Sequence, residues 1–152
     1  MNASELISWA EEQHKFYCGL GQIFLQKFNK DFKVPGFSVF CKSSGAAGWA
    51  RYRKGICDYN LVYLLSAGEE FRRTIAHEVA HFITHQLAGY SSSHGDLFKF
   101  VVEQIYGRIG TRYHCYIRQQ KAVELAFAIM KMRKLQEAIK KEELKAAANK
   151  GK

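Results

Sequence analysis

The chain holds a single proline, Pro35, among 152 residues, and its four cysteines stand far apart. Cys18, Cys41, Cys57 and Cys115 form no Cys-x-x-Cys spacing, which argues against a second zinc site or a disulfide framework and leaves reduced core or strand thiols as the expectation. No apolar run approaches the ~20 residues of a membrane span, and Met1-Asn2-Ala3-Ser4-Glu5 lacks the basic and apolar regions of a signal peptide. A soluble, cytoplasmic protein with no membrane partner is expected. Internal repeats and linkers rich in proline, glycine or serine are also missing, so the length points to one folded domain. Acidic residues are in short supply, with 14 Asp and Glu against 23 Lys and Arg and a net charge of +9.

What is present is concentrated in one stretch, His77-Glu78-Val79-Ala80-His81. At 3.6 residues per turn, two histidines four apart share a helix face about 6 Å apart along the axis, so both imidazoles can reach one tetrahedral ion. A glutamate beside the first can address the ion's water without binding the ion. The surroundings read as helix from Gly68 to Ala88. Phe71, Ile75, Val79 and Phe82 recur at helical spacing, Ser66-Ala67-Gly68-Glu69 has a capping-box pattern, and Leu87 and Gly89 close the run. One Zn2+ per chain is expected, with His77 and His81 as ligands and Glu78 as catalytic base.

Five residues are candidates for the third ligand. His85 lies eight residues from His77, about 12 Å along the axis, too far to share an ion bonded at about 2.1 Å. Glu103 would complete a set of two histidines and a carboxylate, Asp96 has a short side chain and a competing capping role, and His114 suits a separate role. His94 is favoured. It follows Ser91-Ser92-Ser93 and opens the next helix, to Tyr106, where Ser93-x-x-Asp96 reads as a second capping box. A helix N-terminus also disfavours imidazolium and so keeps the neutral ligand form.

His-Glu-x-x-His, followed thirteen residues on by His94-Gly95-Asp96-Leu97-Phe98, resembles the SprT-like metallopeptidases, the family that includes Spartan. Gly45-Ala46-Ala47-Gly48 before a strand, and Ile56 to Leu65 as a second strand feeding the motif helix, are similar to that family's hairpin. Thr111 to Ile117, with His114 among aromatics, resembles the strand after its third-ligand helix. The likeness covers about residues 1 to 117 and implies an α+β, zincin-like domain, a small three- to four-stranded sheet packed on the motif helix. It also implies zinc held by His77, His81 and His94. One departure is plain: many bacterial members end in a cysteine-rich zinc ribbon, whereas here only Cys115 follows the third-ligand helix.

Around this centre the chain reads as a long helix from Ser4 to Asn29, with Leu6, Trp9, Phe16, Leu20, Ile23, Phe24 and Phe28 as its buried stripe, weakened locally by Gly19 and Gly21. Strands follow at Phe37 to Lys42, Ala47 to Arg53 and Ile56 to Leu65, with Lys54-Gly55 as a turn. A last helix, Gln120 to Ala148, repeats Leu125, Met132, Ile139 and Ala146 every seven residues with Ala128 and Leu135 between, so its first half can pack on the domain and its end is expected to fray. The division is a domain at 1–117 and a basic helical extension at 118–152.

Charge follows that division closely. Residues 1–107 carry 11 Lys and Arg against 10 Asp and Glu, while residues 108–152 carry 12 against 4. Such asymmetry implies a polyanionic partner, DNA first, with Lys140, Lys141 and Lys145 as contacts. Trp49, Arg51, Arg53 and Lys54 mix stacking surface with phosphate-binding charge and form a second candidate patch. The expected activity is hydrolysis of a protein substrate, with the oxyanion stabilised by zinc and by one of His114, His85 or Tyr113. The resemblance to Spartan implies substrates attached to DNA. The alternatives are a nucleic-acid-binding protein that keeps zinc without proteolysis, and an interaction protein working through the last helix; the oligomeric state stays open.

Overall fold

Asn2 starts the first helix. Its side-chain oxygen accepts from the Glu5 N–H at 2.8 Å while the Glu5 carboxylate accepts from the Asn2 N–H at 3.0 Å, so two otherwise orphaned donors are satisfied reciprocally. This helix, α1, spans Ala3–Gln26 in a computed structural model that describes residues 1–89, 94–108 and 114–151. Its buried face holds Leu6, Ile7, Ala10, His14, Tyr17, Cys18, Gly21, Phe24 and Leu25, whereas Phe16, Ile23 and Phe28 of the expected stripe are about half exposed. Gly21 explains the rotation. A Cβ there would lie 2.8 Å from Ile83 Cδ1 and 3.0 Å from Phe32 Cε2, so the missing side chain lets α1 come close to the motif helix.

Beyond Pro35, strands β1 (Gly36–Phe40), β2 (Gly48–Arg51) and β3 (Ile56–Asn60) form a sheet in the order β1-β3-β2. The central β3 runs parallel to β1, with Gly36 opposite Ile56, and antiparallel to β2, with Gly48 opposite Tyr59. Gly55, at a φ of 65°, closes the β2–β3 hairpin. One side of the sheet meets α1 through His14, whose ring is buried. Its Nε2 donates to the Pro35 carbonyl at 2.8 Å, so its Nδ1 accepts from the Tyr59 hydroxyl, also at 2.8 Å.

The segment expected as one strand from Ile56 to Leu65 divides at Asn60. The Asn60 side chain accepts from the Val62 N–H at 3.2 Å and caps a helix, α2 (Leu61–Ala67), while its amide donates to the Lys42 and Ala46 carbonyls, both at 3.1 Å. A buried asparagine that ends a strand, caps a helix and pins the 41–47 loop outweighs the β propensity of the residues after it. Ser66 is not a cap either: it lies in α2, where its hydroxyl donates to the Val62 carbonyl at 2.6 Å. A 3-10 turn at Gly68–Phe71 then leads into α3 (Arg72–Ala88), which ends on Gly89 in the left-handed region at a φ of 76°.

Helix α3 lies in the middle of the molecule, against α1, β2 and α4 (Asp96–Ile105), and ten of its 17 residues are buried. Each large apolar side chain fully buried here, such as Ile75, Ile83 and Phe98, is worth roughly 1.5–3 kcal/mol. Gly95 rather than His94 precedes α4, and Ser93 of the expected capping box lies outside the described residues. A fourth strand is not found among the described residues. Residues 114–119 run as an irregular strap, and residues 111–113 of the expected strand lie outside the description.

The last helix, α5, spans Gln120–Lys150 without the expected fraying past Ile139. It buries Ala122, Val123 and Ala126 rather than the seven-residue series: Leu125, Met132, Leu135 and Ile139 are 46% to 56% exposed. Small residues decide the docking face because they let α5 approach α2 closely, and the larger stripe is left facing outward. No described helix is long and apolar enough to cross a membrane.

Candidate metal centre

Three imidazoles converge at the middle of α3. His77 and His81, one turn apart, bring their Nε2 atoms to 3.0 Å, and His94, from the start of the α4 segment, places its Nε2 3.1 Å from that of His77. The edge of a tetrahedral site with metal–nitrogen bonds of about 2.05 Å is about 3.3 Å, so both edges at His77 are close to the spacing that zinc requires, and all three donors lie within 4.8 Å of one another. His94 reaches in from a strained backbone, at a φ of 46°. Such a conformation is uncommon outside glycine and persists where the surroundings demand it.

Burial tunes these groups for ligation. It pushes His77 far below the ordinary histidine range and His81 down to about 3, and it lowers His94 as well, with the neighbouring rings adding to the effect on His77 and His81. All three are therefore neutral donors at physiological pH. Phe98, fully buried, stacks on the His81 ring with centroids 4.4 Å apart at 26° and meets the His77 and His94 rings edge-on, at 5.0 and 5.1 Å. It forms an apolar floor that fixes the ring planes. Phe98 lies four residues after His94, in the first turn of α4, while His94 stands outside that helix, so the contact follows from the turn at His94–Gly95 and not from helical spacing.

Glu78 sits beside the cluster, 2% exposed, with Oε1 3.9 Å from His77 Nε2. His114, carried on the strap, brings its Nε2 to 3.2 Å from the same carboxylate oxygen, and its ring centroid lies 4.0 Å from that of His77. Burial pushes the Glu78 carboxyl up to about 8 and the His114 imidazole down to about 4. Two overlapping donor groups result, His77 with His81 and His94, and His77 with Glu78 and His114. Glu78 is thus held from one side by His114 and faces the cluster of His77, His81 and His94 on the other.

The remaining candidates fall elsewhere. His85 stacks on Tyr52 with ring centroids 4.4 Å apart, lining a separate cavity of about 510 Å³ with Pro35, Phe82 and Gln86, and takes no part in the cluster. Glu103 lies half exposed beside Arg108, and Asp96 is exposed in the first turn of α4. Tyr113 lies outside the described residues. Trp49 and Arg51 share a face of β2, with the guanidinium 4.8 Å from the indole centroid, but Arg51 is also bonded to Asp58 at 3.0 Å. Arg53 and Lys54 are exposed in the hairpin turn, where the strand has already ended, and Lys140, Lys141 and Lys145 are exposed along α5.

The family model described as SprT-like matches residues 19–119, which include every residue of this cluster. The chain belongs to the SprT-like family. Relatives of this SprT-like chain named Protein SprT include those of Pseudomonas putida (strain GB-1), 34% identical over 97 residues, and Vibrio atlanticus (strain LGP32), 34% identical over 106 residues. These alignments cover 62% and 66% of the SprT-like chain and only 58% and 62% of the respective relatives. No solved structure matches it.

Proposed function

We propose that this SprT-like chain is a zinc-dependent endopeptidase of zincin type acting on proteins bound to DNA. The observation that carries the reading is the convergence of three neutral imidazoles within 4.8 Å beside a buried carboxylate. His77, His81 and His94 fit a zinc ion by donor chemistry and spacing. When bound, zinc supplies Lewis acidity at the scissile carbonyl and lowers the pKa of a water to about 7. Glu78 accepts the proton of the attacking water and returns it to the leaving amine; its buried carboxyl, pushed up to about 8, sits in the range suited to both halves of that transfer. A cation beside it favours the carboxylate and prepares the accepting form. His114, 3.2 Å from Glu78 Oε1, holds that carboxylate in line, and we assign it the oxyanion role only once its N–H is released from Glu78 as Glu78 takes up the proton. A closed structural site has no use for a buried glutamate of this kind.

The DNA part of the reading is supported by charge. The outer half of α5 is exposed on all sides and carries Arg133, Lys134, Lys140, Lys141 and Lys145. A basic arm on the same chain as a peptidase site raises the effective concentration of DNA-bound substrate without any new catalytic group. The same exposed basic helix is what a nucleic-acid-binding protein without proteolysis would need, and one experiment separates the two. Glu78→Gln keeps size and shape but removes the base, so it is expected to retain zinc and DNA binding while cleavage of casein crosslinked to a DNA oligonucleotide falls by about 10²-fold or more. Equal cleavage by the wild type and Glu78→Gln, with zinc bound, overturns the peptidase reading in favour of the binding protein.

A further inference from the structure

The strap at residues 114–119 has no strand or helix of its own, yet it carries the histidine that meets Glu78. It is held at three points. The Cys115 N–H donates to Thr74 Oγ1 at 3.0 Å, the Gln119 N–H donates to Ser66 Oγ at 2.9 Å, and the Arg118 guanidinium donates to the Ser43 carbonyl. The first of these lies next to His114 in the chain and one helical turn from Glu78, because Thr74 and Glu78 are four residues apart on α3.

Thr74 is fully buried and is itself fixed from the other side. The backbone of β2 passes so close at Gly48 that a Cβ there would lie 3.1 Å from Thr74 Cγ2 and 3.0 Å from Glu78 Cγ. The Thr74 methyl and the Glu78 methylene are thus wedged together against a bare stretch of strand, and the hydroxyl is left pointing at the strap. Each branch of the threonine has its own task. Valine would keep the shape and lose the acceptor, and serine would keep the acceptor and lose the wedge.

We infer that Thr74 is a positioning residue for the Glu78–His114 pair, acting by tying the strap to α3 through the Cys115 amide. This rests on the peptidase reading above. Without the tie, His114 is free to move relative to Glu78, and a displacement of about 1 Å at a reacting group can cost up to about 10²-fold in rate. The tie itself involves none of His77, His81 and His94.

The test uses the full chain carrying Thr74→Val, Thr74→Ser or Thr74→Ala, with alanine as the second probe of the lost hydroxyl should valine prevent folding. Backbone amide exchange at Cys115 is followed by NMR in metal-free and zinc-loaded protein. Zinc content is measured alongside, with kcat and KM on casein crosslinked to a DNA oligonucleotide. In Thr74→Val and Thr74→Ala the Cys115 amide is expected to exchange about tenfold faster or more, with one zinc retained and kcat down about tenfold at a KM within about twofold. Thr74→Ser restores both the amide protection and kcat. Unchanged Cys115 exchange in the valine and alanine variants, full kcat despite fast exchange, or a serine variant as impaired as valine each overturns the inference. An inactive wild type fails differently: it removes the peptidase reading and this inference with it, while the exchange data still report whether the tie exists.

Discussion

Helix α3 buries ten of its 17 residues, whereas α5 buries three of 31, and the two are held together by different physics. Helix α3 has no side-chain N-cap, and eight of its 17 residues are threonine, isoleucine, valine or histidine, which are middling helix formers. Contacts with α1, β2 and α4 keep it helical. Helix α5 is built from alanine, leucine, lysine, glutamate and glutamine, and most of its length stands on propensity alone. Packing on all sides can hold three imidazoles at their mutual spacing; an exposed helix can only present charge and an apolar stripe. In the proposed reading, chemistry therefore belongs to α3 and recruitment to α5.

The sharpest way to break this comparison is to remove equal bulk from each helix. Ile83→Ala, at a fully buried site, is expected to cost about 2–5 kcal/mol in urea unfolding, while Leu135→Ala, half exposed on α5, should stay within about 0.5 kcal/mol. Comparable losses at the two sites would mean that α5 is packed in solution. A second cut lies within the histidines. His94→Ala should weaken zinc affinity by more than about 100-fold, beyond what losing an outer-shell partner costs, whereas His85→Ala, stacked on Tyr52, should leave one zinc per chain by metal analysis.

The core histidine His14 gives a smaller, pH-dependent signal. Burial lowers its pKa below the ordinary value, so below about pH 6.5 the unfolded chain takes up a proton that the folded chain refuses. Stability therefore falls as pH drops through that value, by up to about 1.4 kcal/mol per pH unit for this one proton, and levels off below the folded pKa. The slope in His14→Gln should be shallower by up to that amount. An identical slope in the variant would show that His14 is protonated in the fold, against its donation to the Pro35 carbonyl and acceptance from Tyr59. The smallest expected effect sits on α5. Replacing Lys140, Lys141 and Lys145 by glutamine should leave the unfolding midpoint unchanged and weaken DNA binding several-fold at low salt, with a flatter salt dependence. Unchanged affinity would remove α5 from the recruitment reading.

Residue spacing alone made the centre legible. His77 and His81 four apart, Glu78 between them, and His94 opening the next segment are local patterns, and a helix of fixed pitch turns them into geometry. The six main helical and strand regions before the strap were readable for the same reason, apart from the segment after Asn60. What went astray was the choice of faces. In α1 the expected stripe is buried at Leu6 and Phe24 but not at Phe16, Ile23 or Phe28, and in α5 the fold buries Ala122, Val123 and Ala126 in place of the larger series, because Gly21, Ala122 and Ala126 permit a close approach. Asn60 is a strand residue, as expected, but its side chain also caps α2, so the strand ends there and residues 61–65 are helical.

By itself, then, the sequence determined the helix that carries His77 and His81, the near-neutral and basic regions of the chain, and the identity of the groups able to bind a metal, since each depends on residues near one another in the chain. Only the tertiary structure decided that His114 and not His85 meets Glu78, that Phe98 underlies the histidine rings, and that Thr74 holds the strap. Those pairings join residues far apart in the chain. Their distances depend on how closely the helices and β2 pack, and that is set by the side chains missing at Gly21 and Gly48 as much as by the ones present.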